Sequence, residues 1–191
     1  MTEFYTPKKF TYPNLKSISK DAFDLHLKLY EGYVAKLNEI LTKYETVDKN
    51  QANHNYSQIR SLLVDKSFNY NAMILHEAFF EALNPEPPTP TDEIIGYAKE
   101  FFGNFENYID DLKAVCMASR VGWGISVFSN NKLQNFAIDR HDLHVPIDGD
   151  IVIAIDTWEH AFLLDYGIDK KTYLDAVFKE IDFNIMFEIN S

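Results

Sequence analysis

The chain has 191 residues, and its 29 acidic residues against 18 lysines and arginines give a formal net charge of −11. This charge disfavours binding to nucleic acid or to an anionic membrane surface, because both are themselves negatively charged. No apolar run is long enough to span a membrane, and the first ten residues lack the apolar region of a signal peptide, so we expect a cytoplasmic protein without a membrane partner. A single cysteine, Cys116, excludes an intramolecular disulfide and is expected to be a buried thiol.

Two long helices are predicted in the first half of the chain. Apolar residues recur at three- and four-residue steps from Ser17 to about Tyr44, and Ser17 or Ser19 is available as the N-cap. A second helical stretch runs from about Tyr56 to Leu83. His54 falls in the polar, Asn-rich segment between them, where we expect a solvated loop.

A proline-rich segment, Asn84–Thr91, predicts a linker, because its four prolines exclude a helix interior. We therefore expect a helical hairpin domain over residues 1–88 and an α/β domain over residues 89–191. The second half is predicted to contain two helices, three strands and a last helix. These elements are expected at Asp92–Phe102, Phe105–Ser119, Gly122–Ser129, Leu133–Ile138, Ile151–Ile155 and near Lys171–Ile181. Asn130 and Asn131 favour a tight turn between the first two strands, and the order of elements predicts an α+β fold that begins with helices.

The segment Asp156–Tyr166, DTWEHAFLLDY, follows an apolar run that predicts a buried strand. Asp156 lies at the end of this strand and His160 in the first turn of the next element, so both side chains are expected to face one point. A carboxylate and an imidazole together suit a first-row metal ion such as iron or manganese. By itself the pair is a weak signal, and a lone histidine on an apolar helix face is more often a hydrogen-bonded core residue than a ligand.

The whole segment resembles the C-terminal signature of the iron/manganese superoxide dismutases, with Leu163 where the family usually has a tyrosine. The resemblance continues in the first helix, where YVAKLN follows His26, and in the second, where FNYNAMILHEAFFEALNP contains His76. It implies four ligands for one iron or manganese ion per subunit: His26, His76, Asp156 and His160.

The resemblance also implies a fold and an activity. The fold would be a long N-terminal helical hairpin followed by an α/β domain with a small three-stranded antiparallel sheet. The activity would be the disproportionation of superoxide to dioxygen and hydrogen peroxide, with the metal alternating between M(III) and M(II). Iron is favoured over manganese, and activity with either metal is left open. A metal-binding relative that has lost fast dismutation, and serves as a metal store or interaction protein, is the alternative.

The resemblance implies further residues around the metal: Tyr33 as the gateway tyrosine, with Trp123 and Trp158 as aromatic walls. In the family, a glutamine usually forms a hydrogen bond to the solvent molecule bound to the metal. This chain has no glutamine at either of the two positions where the family places it. His141 is the candidate in its place, with His144 as the alternative and a solvated loop histidine as the non-functional interpretation. An imidazole at this place can donate a hydrogen bond, and it can also gain a proton near neutral pH.

Contacts between subunits and with substrate are implied as well. Glu159 corresponds to a glutamate that accepts a hydrogen bond from the ligand histidine of a partner subunit, which implies a homodimer and leaves a tetramer open; an exposed helix glutamate would look the same. The residues Leu29–Glu31 replace a usual His-His pair, which together with Leu163 indicates a remodelled interface. Lys170 aligns with an arginine near the substrate funnel, and Lys28 is a second candidate for steering superoxide, although each could be an ordinary surface lysine.

Overall fold

The structure is a computed structural model that describes residues 5–185. Its first two helices, α1 (Lys20–Thr46) and α2 (Gln58–Ala82), pack against each other as the predicted hairpin. Ser19 is the N-cap of α1, because its hydroxyl accepts a hydrogen bond from the Ala22 amide. Ser17 lies before the helix, where its amide donates to the Glu180 carboxylate at 2.8 Å. The hairpin is confirmed, and α1 begins three residues later than predicted.

The connection between α1 and α2 contains one short 3₁₀ turn, Lys49–Gln51. His54 follows in an exposed turn, as expected. Ser57 caps α2 by accepting a hydrogen bond from the Arg60 amide at 3.2 Å. The capping side chain therefore places the start of α2 two residues after the predicted position.

The second half contains the predicted succession of two helices, three strands and further helices. In chain order the elements are α3 (Asp92–Phe102), α4 (Phe105–Ala118), β1 (Gly122–Ser129), β2 (Lys132–Asp139), β3 (Asp150–Asp156), α5 (Glu159–Tyr166) and α6 (Lys170–Val177). A 3₁₀ turn, Phe178–Glu180, follows α6, so the predicted last helix is divided into a shorter α-helix and this turn. The α+β class is confirmed.

The three strands form an antiparallel sheet in the order β2-β1-β3. Asn130 and Asn131 join β1 to β2 with φ angles of 51° and 58°, the left-handed conformation that a tight hairpin turn requires and that asparagine tolerates. In the register of the sheet, Trp123 on β1 is paired with Asp156 on β3. The central strand thus sets an aromatic side chain beside the carboxylate that the sequence marks as a ligand.

Helices cover the sheet and bring the two halves of the chain together. α2 packs on β3, α5 packs on α1, and α4 packs on β1 and β2. Cys116 on α4 is fully buried, as expected, and approaches β1 so closely that a Cβ at Gly124 would lie 2.2 Å from its sulfur. The division into two domains after residue 88 stays a prediction. The first residues of the predicted N-terminal domain and the last residues of the predicted C-terminal domain lie outside the described residues. None of the helices in residues 5–185 is both long and apolar enough to cross a membrane.

Candidate metal centre

Four side chains from four different elements meet at one point. One nitrogen or oxygen atom from each lies within 4.8 Å of the corresponding atoms of the others; the four residues are His26 on α1, His76 on α2, Asp156 at the end of β3 and His160 on α5. The packing of α2 on β3 and of α5 on α1 brings them together. They are the four residues that the sequence resemblance implies as ligands.

Asp156 is at the centre of this cluster. Its Oδ2 lies 3.0 Å from His26 Nε2, 3.1 Å from His160 Nε2 and 3.8 Å from His76 Nε2. Its Oδ1 accepts a hydrogen bond from the Trp158 amide at 2.8 Å, and its backbone carbonyl accepts one from the Tyr173 hydroxyl at 3.0 Å. Because these bonds fix the residue at both ends, Oδ2 is left to face the three imidazoles.

His76 and His26 each present an unpartnered nitrogen to the cluster. His76 Nδ1 donates to the Ala72 carbonyl at 2.6 Å, so the proton of the neutral ring is on Nδ1 and the lone pair is on Nε2. The Nε2 atoms of both histidines are buried and have no hydrogen-bond partner among the described residues. A buried polar atom without a partner is unfavourable, and a metal ion at this point would satisfy both nitrogens.

Burial fixes the charge of this cluster. It lowers the pKa of His26 and lowers the pKa of His76 far below its ordinary range, because a charged imidazole loses its hydration in the interior. Burial alone would raise the pKa of Asp156, but attraction and hydrogen bonding to His160, together with the proximity of His26, outweigh it, and the pKa is lowered. A neutral imidazole, as at His26 and His76, and an ionised carboxylate, as at Asp156, are the protonation states in which these groups bind a metal.

The donor set fits iron or manganese. Bonds of about 2.0–2.2 Å from imidazole nitrogen and carboxylate oxygen place neighbouring ligand atoms roughly 3 Å apart, which is close to the separations around Asp156 Oδ2. A structural zinc site usually includes cysteine, whereas the one cysteine of this chain, Cys116, is outside the cluster. Three imidazoles and one carboxylate suit a redox-active first-row ion.

His141 lies beside the cluster and His144 does not. His141 is fully buried; its Nδ1 accepts a hydrogen bond from Trp123 Nε1 at 3.0 Å, and its Nε2 is 3.3 Å from the Tyr33 hydroxyl. His144 is exposed at the surface, with its Nδ1 3.6 Å from the Asp139 carboxylate. Of the two candidates for a hydrogen bond to the metal-bound solvent, only His141 lies beside the cluster.

The expectation that His141 gains a proton near neutral pH is wrong. Burial lowers the pKa of His141 to about 4, because the imidazolium would be poorly solvated at this position. The pKa of Tyr33 is raised to about 12, by burial first and by the charge of Asp156 second. At neutral pH this imidazole is therefore neutral and this phenol is protonated.

Residues on α2 hold the loop that carries His141, a role that the sequence did not indicate. Asn71 Nδ2 donates to the His141 carbonyl at 2.9 Å, and the Phe68 ring lies 4.6 Å from the His141 ring, measured between centroids. The Arg140 guanidinium covers the Phe68 ring at 5.2 Å. Both α2 residues belong to the FNYN segment that carried the family resemblance, but side-chain partners 70 residues away are not visible in a sequence.

One side of the cluster is open. The side chain of His160 is 25% exposed, and it borders a cavity of about 370 Å³ together with His26 and three leucines: Leu25, Leu163 and Leu164. Each leucine is at least half exposed. Leu25 was not recognised from the sequence, because an exposed leucine within an amphipathic helix has no distinctive pattern. Glu159, which precedes His160 at the start of α5, is exposed.

Lys170 does not contact the cluster. Its ammonium donates to the backbone carbonyls of Cys116 and Ser119, at 2.9 and 2.7 Å, and therefore binds the C-terminal end of α4. Partial burial lowers its pKa. Lys28 is exposed on α1. The structure thus gives Lys170 a helix-capping role, and steering of superoxide by either lysine stays a prediction.

Comparison with known proteins supports the same assignment. Residues 90–188 match the family described as iron/manganese superoxide dismutases, C-terminal domain. The chain is 36% identical over 191 residues to an iron superoxide dismutase of Aquifex pyrophilus, covering 95% of this chain and 89% of that protein. It is 33% identical over 187 residues to an iron superoxide dismutase of Pyrobaculum aerophilum (89% and 86% covered) and 28% identical over 158 residues to manganese superoxide dismutase 1 of Halobacterium salinarum (81% and 77% covered).

Proposed function

The chain belongs to the iron/manganese superoxide dismutase family, and from this premise we propose that it converts two superoxide ions and two protons into dioxygen and hydrogen peroxide. The observation that carries the proposal is the convergence of His26, His76, Asp156 and His160 on one point. When bound there, iron or manganese supplies one-electron chemistry by alternating between its trivalent and divalent states.

The residues of the chain provide the conditions for this chemistry. Asp156 contributes the one negative charge among the four ligands, so a trivalent or divalent cation bound there is only partly neutralised and attracts an anion. Trp123 and Trp158 pack beside His76 and His160, with ring centroids 5.0 and 5.8 Å apart respectively, and keep bulk water away. Tyr33 holds a phenolic proton next to the cluster at neutral pH, where peroxide formation consumes protons.

Both metals remain candidates, and iron is favoured. Relatives named for iron are 33–36% identical to this chain, whereas those named for manganese are 26–28% identical. This difference supports iron, and we propose one ion of iron or manganese per chain. The alternative, a metal-binding relative without fast dismutation, is not favoured, because the relatives compared here are all named superoxide dismutases.

We further propose a homodimer in which Glu159 accepts a hydrogen bond from His160 of the partner subunit; a tetramer would extend the same contact. The three exposed leucines around the cavity beside His160 support this proposal, because a second copy would cover them. Leu163 would give that interface an apolar side chain in place of the tyrosine usual in the family, and the segment Leu29–Glu31 would contribute no histidine to it. A cytoplasmic antioxidant role is proposed with it.

The experiment that tests the function measures superoxide removal by the iron-loaded, manganese-loaded and metal-free chain. We expect removal in proportion to bound metal, loss of removal when the metal is chelated, and recovery after reloading. Asp156→Ala should be inactive and His54→Ala should match the wild type, since His54 lies in an exposed turn between α1 and α2 and is not one of the four clustered residues. Stoichiometric metal without superoxide removal in either form would contradict the proposal and support a metal store.

A further inference from the structure

The two tryptophans of the chain contact the ring of His141 in different ways. Trp123 donates its indole N–H to His141 Nδ1 at 3.0 Å. Trp158 stacks on the same ring, with centroids 5.0 Å apart and planes inclined by 28°, and its own buried indole nitrogen has no hydrogen-bond partner among the described residues. One tryptophan therefore bonds to the imidazole and the other only packs against it.

The hydrogen bond from Trp123 determines where His141 carries its proton. An indole nitrogen can only donate, whereas a neutral imidazole has one nitrogen that donates and one that accepts. Since Nδ1 accepts from Trp123, the proton must be on Nε2. The other neutral tautomer, and the imidazolium, would each direct an N–H of His141 at the N–H of Trp123, in a place where both side chains are fully buried and water cannot separate them.

We propose that Trp123 is a positioning residue that fixes His141 as the Nε2–H tautomer, so that His141 faces Tyr33 and the metal centre only as a hydrogen-bond donor. His141 Nε2 lies 3.3 Å from the Tyr33 oxygen, which then accepts and leaves its own O–H to point elsewhere in the site. The importance of this tautomer for catalysis rests on the proposed function, whereas the tautomer itself follows from the contacts of the chain.

The orientation of the ring is supported from α2 as well. Asn71 binds the backbone carbonyl of His141, and Phe68 packs edge-on against the imidazole. These contacts place the ring between Trp123 and Tyr33 and oppose a rotation that would exchange the positions of Nδ1 and Nε2. The donor role of His141 is thus built by residues from β1 and α2 together.

Nitrogen NMR of the uniformly ¹⁵N-labelled full-length chain tests the proposal without relying on activity. The chain is measured metal-free and loaded with Zn²⁺, a diamagnetic ion that imidazole and carboxylate bind. In both forms we expect His141 to show an unprotonated Nδ1 and a protonated Nε2 at neutral pH, with a ¹⁵N–¹⁵N coupling across the bond to the Trp123 indole. A protonated Nδ1, or the absence of this coupling, would overturn the proposal.

The two tryptophans provide a variant and a matched control. Trp123→Phe should shift both ring nitrogens of His141 toward the intermediate values of a tautomer mixture. Trp158→Phe, which removes a stacked indole of the same size, should leave the Nε2–H signature unchanged. Identical His141 spectra in wild type and Trp123→Phe would overturn the assigned role, and if Trp123→Phe does not fold, the coupling in the wild type decides. An inactive wild type with the expected spectrum would contradict the proposed function and leave the tautomer intact.

Discussion

The two sides of the metal centre differ in how deeply their residues are buried and in the contacts that fix them. On the buried side, His76, Asp156, Trp123 and His141 are fully buried, and the side chain of each is hydrogen-bonded to another residue. On the open side, His160 is partly exposed beside three leucines that nothing in residues 5–185 covers. The difference indicates that one chain is sufficient to arrange the ligands, whereas the completion of the open side by a second copy is the part that we propose.

The largest effect is expected from removing a buried ligand. His76→Ala or Asp156→Ala should lower metal affinity by more than roughly 100-fold. Even the loss of a residue that only hydrogen-bonds a ligand lowers metal affinity by about 10–100-fold. Metal analysis after dialysis against a weak chelator measures this. His54→Ala is the control and should retain the metal. Full metal content in either ligand variant would show that the buried side is not the binding site.

A strong pH dependence of stability is expected for the metal-free chain. His26, His76 and His141 have folded-state pKa values below the unfolded value of about 6.5, and that of His141 is about 4. The unfolded chain therefore binds more protons below pH 6.5, so the free energy of unfolding should fall as pH falls. Three such groups give up to about 4 kcal/mol per pH unit.

Urea unfolding of the metal-free chain between pH 7 and pH 4.5 measures this slope. Asp156 does not add to this slope within the window, because its lowered pKa reduces stability only as the pH falls to its unfolded value of about 3.9 and below. His141→Gln should reduce the slope by about one third, since one of three contributing groups is removed. Stability that is constant over this range would contradict the buried, neutral state of the histidines.

The open side is tested by Glu159→Ala. A lost hydrogen bond to a charged group costs about 1.5–3 kcal/mol, so dissociation of the dimer should become at least roughly tenfold easier. Sedimentation over a dilution series measures the dissociation constant. Glu100→Ala, at an exposed glutamate of α3, is the matched control. An unchanged dissociation constant would place the contact between copies elsewhere.

The smallest effect is expected from replacing Lys170, and it distinguishes capping of the end of α4 from steering of superoxide. Lys170→Met removes two hydrogen bonds to carbonyls at the end of α4 and should lower the free energy of unfolding by about 1–3 kcal/mol. Lys171→Met removes only an exposed pair with Asp175 and should leave the free energy of unfolding nearly unchanged. If Lys170→Met instead leaves stability unchanged and slows superoxide removal mainly at low salt, Lys170 steers the substrate.

Local signals in the sequence predicted the secondary structure well. The predicted bounds of α3 agree with the structure, because Thr91 caps its first turn and Gly103, with a φ of 88°, ends it. Asn130 and Asn131 identified the hairpin turn for a similar reason. The last helix was predicted too long, because the change from α-helix to a 3₁₀ turn at Phe178 has no local signal.

Local signals in the sequence predicted fewer features of the site than of the fold. Periodicity alone does not distinguish His26 or His76 from core histidines, and the family resemblance supplied their role. The carbonyl contacts of Lys170 and the low pKa of His141 depend on burial by residues distant in the sequence. Such tertiary effects require the structure, since neither residue has a distinctive neighbour along the chain.

Anomalous diffraction from a crystal of the iron-loaded chain, repeated with manganese, tests the four-residue metal centre most directly. Data collected on both sides of each absorption edge locate the ion and identify the element. The account predicts one peak per chain, bonded to His26 Nε2, His76 Nε2, Asp156 Oδ2 and His160 Nε2, where these atoms already converge. A peak at any other position, or a fully loaded chain with no peak among these atoms, would contradict it.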